Sequence, residues 1–341
     1  MPHDAFSPAQ TAQACVAGSI AKTKINQGVI FLKAFNAGIF LSMGASIITL
    51  VGGGSASLTA SNPGLVKLIE AAFSLPFGLM LIVLNGQELV TGNMMTMPMA
   101  VLAGKIKWYW APFNIMLVFM GNLVGALFYD ALLVKYSHIQ ALDYAEFAIT
   151  MARTKAVEPL WWEIFLRGIG CNILVCLAVW QATAARETAS KVLAIWFPVF
   201  LFVALGFDHV VANMYFIPLA IMYKAPGIST GYYIWKSMIP AFLGNQIGGL
   251  ILAVPFWLFY LTRFGSVDAT TAPNPIDIEA GHRGLRDGTT GGSAGGFVNA
   301  NQEKHNGVAD GVQNPNGYSN GNGALHGQDN GNLNGHQGKD M

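Results

Sequence analysis

Charge is what this sequence has least of. Its 341 residues include 19 Lys and Arg and 18 Asp and Glu, together 11%, under half the roughly 25% usual in soluble domains. With 53% apolar residues, too little charged surface remains to cover a water-soluble body of this size, which places the chain in a lipid bilayer. A formal net charge of +1 lacks the basic excess of a domain that neutralises phosphates, so nucleic acid is excluded as a partner. Cysteine is scarce too. Cys15, Cys171 and Cys176 form neither a disulfide framework nor a paired zinc spacing, and no metal or cofactor is expected. The first residues lack the basic start, short apolar core and cleavage site of a signal peptide.

What is present changes character along the chain. Residues 265–341 hold 17 of the 39 glycines and 11 asparagines, with 8 acidic and 4 basic residues. Such a segment cannot bury enough surface to offset its ordering entropy and reads as a disordered Gly/Asn-rich tail. Residues 1–28 read as a polar amino-terminal segment with helical character, and 29–264 as the membrane domain, which carries nearly all the long apolar runs.

Apolar runs long enough for a hydrocarbon core of about 30 Å lie near residues 29–53, 68–104, 109–134, 160–184, 193–222 and 232–261. The expectation is an all-α polytopic membrane protein with six transmembrane helices. The second and fifth runs exceed a single straight span, and each carries polar residues at its centre, Asn85-Gly86-Gln87-Glu88 and Gly206-Phe207-Asp208-His209. Irregular backbone at that depth is tolerated where it lines a cavity or is buried in protein, so both helices are expected to be broken. Seven Lys and Arg in the connections on the amino-terminal side against five opposite favour cytoplasmic termini.

The two breaks align. Gly86-Gln87-Glu88-Leu89-Val90-Thr91-Gly92-Asn93-Met94 with Pro98 matches Gly206-Phe207-Asp208-His209-Val210-Val211-Ala212-Asn213-Met214 with Pro218 at an offset of 120. Gly121-Asn122-Leu123-Val124-Gly125-Ala126 then matches Gly244-Asn245-Gln246-Ile247-Gly248-Gly249 at an offset of 123. Three spans are duplicated, and because three is odd the second copy enters the membrane from the opposite face, as an inverted repeat. Each second half-helix then starts near a break with free N–H groups and a positive dipole end, which attract anions. The small residues Gly121, Gly125, Gly244, Gly248 and Gly249 read as close helix contacts.

The strings at 86–93, Cys171-Asn172-Ile173-Leu174-Val175-Cys176-Leu177-Ala178-Val179-Trp180 and 206–214 resemble the formate/nitrite transporter family, closest to its fungal nitrite transporters, over about residues 25–262. The resemblance implies an aquaporin-like shape, a homopentamer with one pore per protomer, and passage of small monovalent weak-acid anions. Nitrite is the expected substrate, coupled to protons and serving nitrate assimilation at the plasma membrane. A formate transporter or a passive anion channel of the same family stands as the alternative, and a membrane receptor or scaffold as a more distant one. No enzyme is expected, since no cysteine or histidine neighbours His209 at ligand spacing.

His209 is the one histidine deep in a span and the sharpest candidate, because an intramembrane ionisable group is functional by default; a neutral packing histidine is the alternative. Thr91 is expected to face it or to serve as a helix N-cap. Glu88 and Asp208, equivalent in the repeat, are expected to hold the breaks by accepting backbone N–H groups, with Asn93 and Asn213 bonding freed backbone alongside them. The resemblance assigns Leu79, Leu89 and Phe202 to apolar constrictions, whose dry slit would exclude hydrated ions. It places Lys155 in an outer vestibule, where a solvated loop lysine is equally compatible with the sequence.

Overall fold

The computed structural model describes residues 5–139 and 143–262. The proposed tail at 265–341 and Arg263 lie outside the described residues. Within them the chain is helical, with one isolated antiparallel bridge between Ala5 and Ala185.

Helix α1 (Pro8–Lys24) starts on a capping box, Ser7 and Gln10 each bonding the other's backbone N–H, with Pro8 in the first turn and Lys22 and Lys24 in the last. These satisfy the orphan donors and complement the helix dipole. Its buried face, Ala12, Cys15 and Val16, packs on Met95, Met99, Cys176, Trp180 and Ala253, so the amino-terminal segment belongs to the same packed unit as the spans.

The spans follow. Helix α2 (Gln27–Gly54) crosses alone. A short α3 (Ala56–Ser61) leads to α4 (Pro63–Phe73) and α5 (Leu75–Leu84), joined at Ser74, and then to α6 (Val90–Leu102). The second span therefore starts at Pro63, where Asn62 accepts from the Leu65 N–H, earlier than its hydropathy suggests. Helix α7 (Trp110–Phe128) continues as a π-helical turn to Lys135, and α8 (Asp143–Ala152) as another to Val157. Then come α9 (Trp161–Ala184), α10 (Thr188–Ala204), α11 (Val210–Met222), α12 (Thr230–Tyr233) and, after a third π segment, α13 (Ile239–Leu261). Among the described residues, five stretches are long and apolar enough to cross a membrane by themselves, whereas α10 and α11 are shorter. At 1.5 Å per residue they reach only about 26 and 20 Å, so the fifth span needs both. Six spans in two inverted halves result.

The halves interlock. Helix α2 packs along α7 and α9 along α13, while each second half-helix packs on the other repeat, α6 on α13 and α11 on α7. Glycine permits these contacts: a Cβ on Gly125 would run into the Phe35 carbonyl of α2, one on Gly244 into the Phe165 carbonyl of α9, and one on Gly249 would sit 2.7 Å from the Met94 carbonyl oxygen of α6. Close backbone approach through small residues is how membrane helices gain packing without a hydrophobic drive.

Candidate functional site

Both breaks have the same local construction. Helix α5 ends with Gly86 at φ 62° and α10 with Gly206 at φ 75°, the left-handed conformation glycine adopts without steric cost. The Gly86 and Gln87 N–H groups bond back to Val83 and Ile82, as those of Gly206 and Phe207 do to Val203 and Phe202. These are Schellman caps, which satisfy the last carbonyls of a helix. Four residues after the glycine each helix restarts, at Val90 and Val210.

The first N–H of each restarted helix goes to an asparagine of the third or sixth span. Asn122 Oδ1 accepts from the Val90 N–H at 3.0 Å, and its Nδ2 donates to the carbonyls of Ala34 (2.8 Å) and Glu88 (2.9 Å). Asn245 Oδ1 accepts from the Val210 N–H at 2.9 Å, and its Nδ2 donates to Gly168 (2.8 Å) and Asp208 (3.0 Å). Both side chains are fully buried. The expectation that the carboxylates and Asn93/Asn213 hold the freed backbone is corrected here: a neutral amide presents an acceptor and two donors at once, which a carboxylate does not. The duplicated Gly-Asn pair at offset 123 was the available signal.

The carboxylates meet cations instead. Glu88 Oε2 lies 2.9 Å from Lys22 Nζ and accepts from Asn93 Nδ2 at 2.9 Å, while Asn93 Nδ2 also reaches Asn114 Oδ1 at 2.8 Å. Asp208 Oδ1 lies 3.2 Å from Lys155 Nζ and 3.4 Å from Asn213 Nδ2, which also reaches Ser237 Oγ at 3.4 Å. Lys155 is 9% exposed and also donates to the carbonyls of Gly206 (2.9 Å) and Phe207 (3.0 Å). It is therefore a buried partner of the second break, not a solvated loop lysine.

Between the breaks, Thr91 Oγ1 and His209 Nε2 are 2.9 Å apart, both buried. Thr91 sits one residue inside α6, whose N-cap is Leu89, so it is not itself a cap. His209 caps α11, its Nδ1 accepting from the Ala212 N–H at 3.1 Å. Occupation of Nδ1 by a donor assigns the neutral Nε2–H tautomer, so the ring donates to Thr91. The Phe202 ring lies against the imidazole, centroids 5.8 Å apart.

Three cavities run through this point. A wide one of about 170 Å³ is lined by Lys22, Gln87, Asn93 and Thr96 and reaches Leu79 and Leu89. Those two leucines also line a central space of about 10 Å³ with Leu75, Phe202 and His209. Leu75, Phe202 and His209 in turn border a third space of about 20 Å³ that contains Lys67, Lys155 and Asn213. The central space has room for about one water molecule, so the file of cavities narrows to an apolar constriction beside the imidazole, with Lys22 on one side and Lys67 and Lys155 on the other. Lys67, absent from the sequence candidates, is brought to this path by α4.

An inverted, six-span, aquaporin-like helical protein with a narrowed passage at paired broken helices is a membrane transport protein. The comparisons give its family. The sequence model of the Formate/nitrite transporter family matches residues 9–259. The probable formate transporter of Methanothermobacter thermautotrophicus is 39% identical over 271 residues, covering 75% of this chain and 97% of that one. Among solved structures, a pentameric formate channel with formate bound matches at TM-score 0.61 and 29% identity, over 71% of this chain and 100% of its own. An FNT family ion channel matches at TM-score 0.65 and 26% identity, over 73% and 98%. The chain belongs to the formate/nitrite transporter family, whose members are channels and transporters and not enzymes.

Proposed function

We propose that the protein carries nitrite, with formate the alternative cargo of the same pathway, together with a proton, through the passage centred on His209. The observation that carries this reading is the one-water space lined by Leu79, Leu89, Phe202 and His209, whose buried imidazole donates from Nε2 to Thr91. A bare monovalent anion loses most of its hydration there at high cost, whereas the neutral acid does not. Lysine-bearing cavities on both sides raise the local anion concentration, and the His209–Thr91 pair supplies or relays the proton at the narrowest point. Leu79, Leu89 and Phe202 act as the constrictions. Glu88, Asp208, Asn93 and Asn213 hold the breaks in shape through their lysines, keeping negative charge away from the path.

The formate alternative draws on the relatives, of which one is named a probable formate transporter and another a formate channel; nitrite draws on the resemblance of the three motifs to fungal nitrite transporters. By the same analogy the protein works as a homopentamer in the plasma membrane, with both termini in the cytoplasm.

Reconstituted liposomes test the proposal. With an inward nitrite or formate gradient, internal acidification should accompany anion entry in the wild type and fall at least about tenfold in His209→Asn, the magnitude of a lost general acid–base group. Anion entry without proton movement, equal in the variant, would reduce His209 to a structural cap and the protein to a passive anion channel.

A further inference from the structure

Three lysines line the cavities, and their ammonium groups are engaged unequally. An ammonium has three N–H donors. Those of Lys155 meet three acceptors, Asp208 Oδ1 and the carbonyls of Gly206 and Phe207, at 3.2, 2.9 and 3.0 Å. Lys22 meets Glu88 Oε2 at 2.9 Å and Asn93 Oδ1. Lys67 differs. Its nearest charged partner among the described residues is Glu70, one helical turn along α4, at 3.8 Å, beyond hydrogen-bond length. Its side chain is 36% exposed, against 11% for Lys155, yet it lines the same small cavity as Lys155, Phe202 and His209.

We infer that Lys67 is the group that captures the anion at this mouth of the passage, and that Lys155 is a positioning residue whose ammonium fixes the backbone of the second break. The inference rests on the transport reading above. A buried lysine with every donor satisfied must break a hydrogen bond and unpair Asp208 to bind an anion. Lys67 has only the 3.8 Å contact to Glu70 to loosen, and its flexible stem delivers the ion to the Phe202 constriction and lets it go. A point charge without planar donors suits a small monovalent anion without preference between nitrite and formate. At the opposite mouth Lys22 is engaged by Glu88 and Asn93, so the two mouths differ: capture is stronger on the Lys67 side.

The natural cysteines make a direct test possible, since Cys15, Cys171 and Cys176 are all buried. Full-length Lys67→Cys in liposomes is assayed for nitrite and formate influx before and after treatment with a cationic aminoethyl or an anionic sulfonatoethyl thiosulfonate. The neutral variant should raise KM about fivefold with the maximal rate nearly unchanged, the size of one partly screened charge at short range. The cationic adduct should bring KM back toward wild type, and the anionic adduct should raise it further. All three charge states share one folded preparation, so misfolding cannot imitate the sign dependence. Lys155→Met should lower the maximal rate and the melting temperature more than it moves KM. A KM indifferent to the charge at position 67 in a transporting protein overturns the inference and leaves the transport reading standing. Absence of nitrite and formate flux in the wild type overturns both.

Discussion

The first and second breaks share a scaffold and differ in the side chains it presents to the passage. Both use a left-handed glycine, an asparagine bridge from a distant span and a carboxylate–asparagine–lysine group. Where the second has His209, the first has Leu89, and the restart of α6 has no side-chain cap. The duplication thus supplies a symmetric frame whose residues are kept in kind by mechanical need, while the His209–Thr91 pair is built from two positions where the copies diverge, Leu89/His209 and Thr91/Val211. The lysines teach the same lesson from outside the repeat. Lys22 comes from α1 and Lys155 from the turn after α8, two unrelated segments that arrive at equivalent carboxylates. A carboxylate buried at a helix break requires a cation, and the fold recruits whichever segment is near.

If the frame is symmetric, breaking the bridge at either end should do equal and severe damage. Asn122→Leu and Asn245→Leu each leave one N–H and one non-helical carbonyl, of Glu88 or Asp208, unpaired in a buried site, at about 1–3 kcal/mol per group. Both should cost about 4 kcal/mol and lower the detergent-solubilised melting temperature alike; a marked difference between them would show that the two halves are not mechanically equivalent.

The lysine groups should separate the breaks. Asp208 is fully buried and Glu88 is 7% exposed, so removal of the cation leaves the more costly orphan at the second break. Lys155→Met is expected to destabilise by about 3 kcal/mol, and Lys22→Met by about 1 kcal/mol, since water reaches Glu88 more readily. Thermal unfolding checks the order. The double variant Lys155→Met/Asp208→Asn should recover part of the loss, because it removes the unpaired charge; no recovery would mean that the bonds from Lys155 to the Gly206 and Phe207 carbonyls carry its role.

Much of this frame was legible in the sequence. Glycine followed by a carboxylate inside an apolar run, repeated after 120 residues, has few physical meanings in a membrane, and it located both breaks and His209. The partners were less visible. Lys22 read as an orientation signal because nothing local shows that α1 folds back onto α6, and Asn122 and Asn245 were overshadowed by the small residues beside them. Lys67 was missed for a related reason: hydropathy places the second span at residue 68, and only the Asn62 cap and Pro63 reveal that the helix starts earlier and carries the lysine to the cavity. Hydrophobic pattern reports depth in the bilayer; it carries no information on which distant side chain meets which.

The smallest expected effect tests the equivalence of the two glycines. At Gly86 and Gly206 an added Cβ meets nothing within 4 Å, so the only penalty is the left-handed backbone at φ 62° and 75°, about 1 kcal/mol for alanine. Gly86→Ala and Gly206→Ala should therefore lower stability by similar small amounts, and asparagine, which tolerates this conformation, by less. Gly249→Ala supplies the contrast, because its Cβ would lie 2.7 Å from backbone of α6 and force the repeats apart at a cost of about 2 kcal/mol. If Gly206→Ala proves as damaging as Gly249→Ala while Gly86→Ala stays mild, the second break has less conformational slack than the first. The extra constraint would then be traced to Lys155, whose ammonium bonds the consecutive carbonyls of Gly206 and Phe207, a clamp for which the Lys22 group, bonded to side chains alone, has no counterpart.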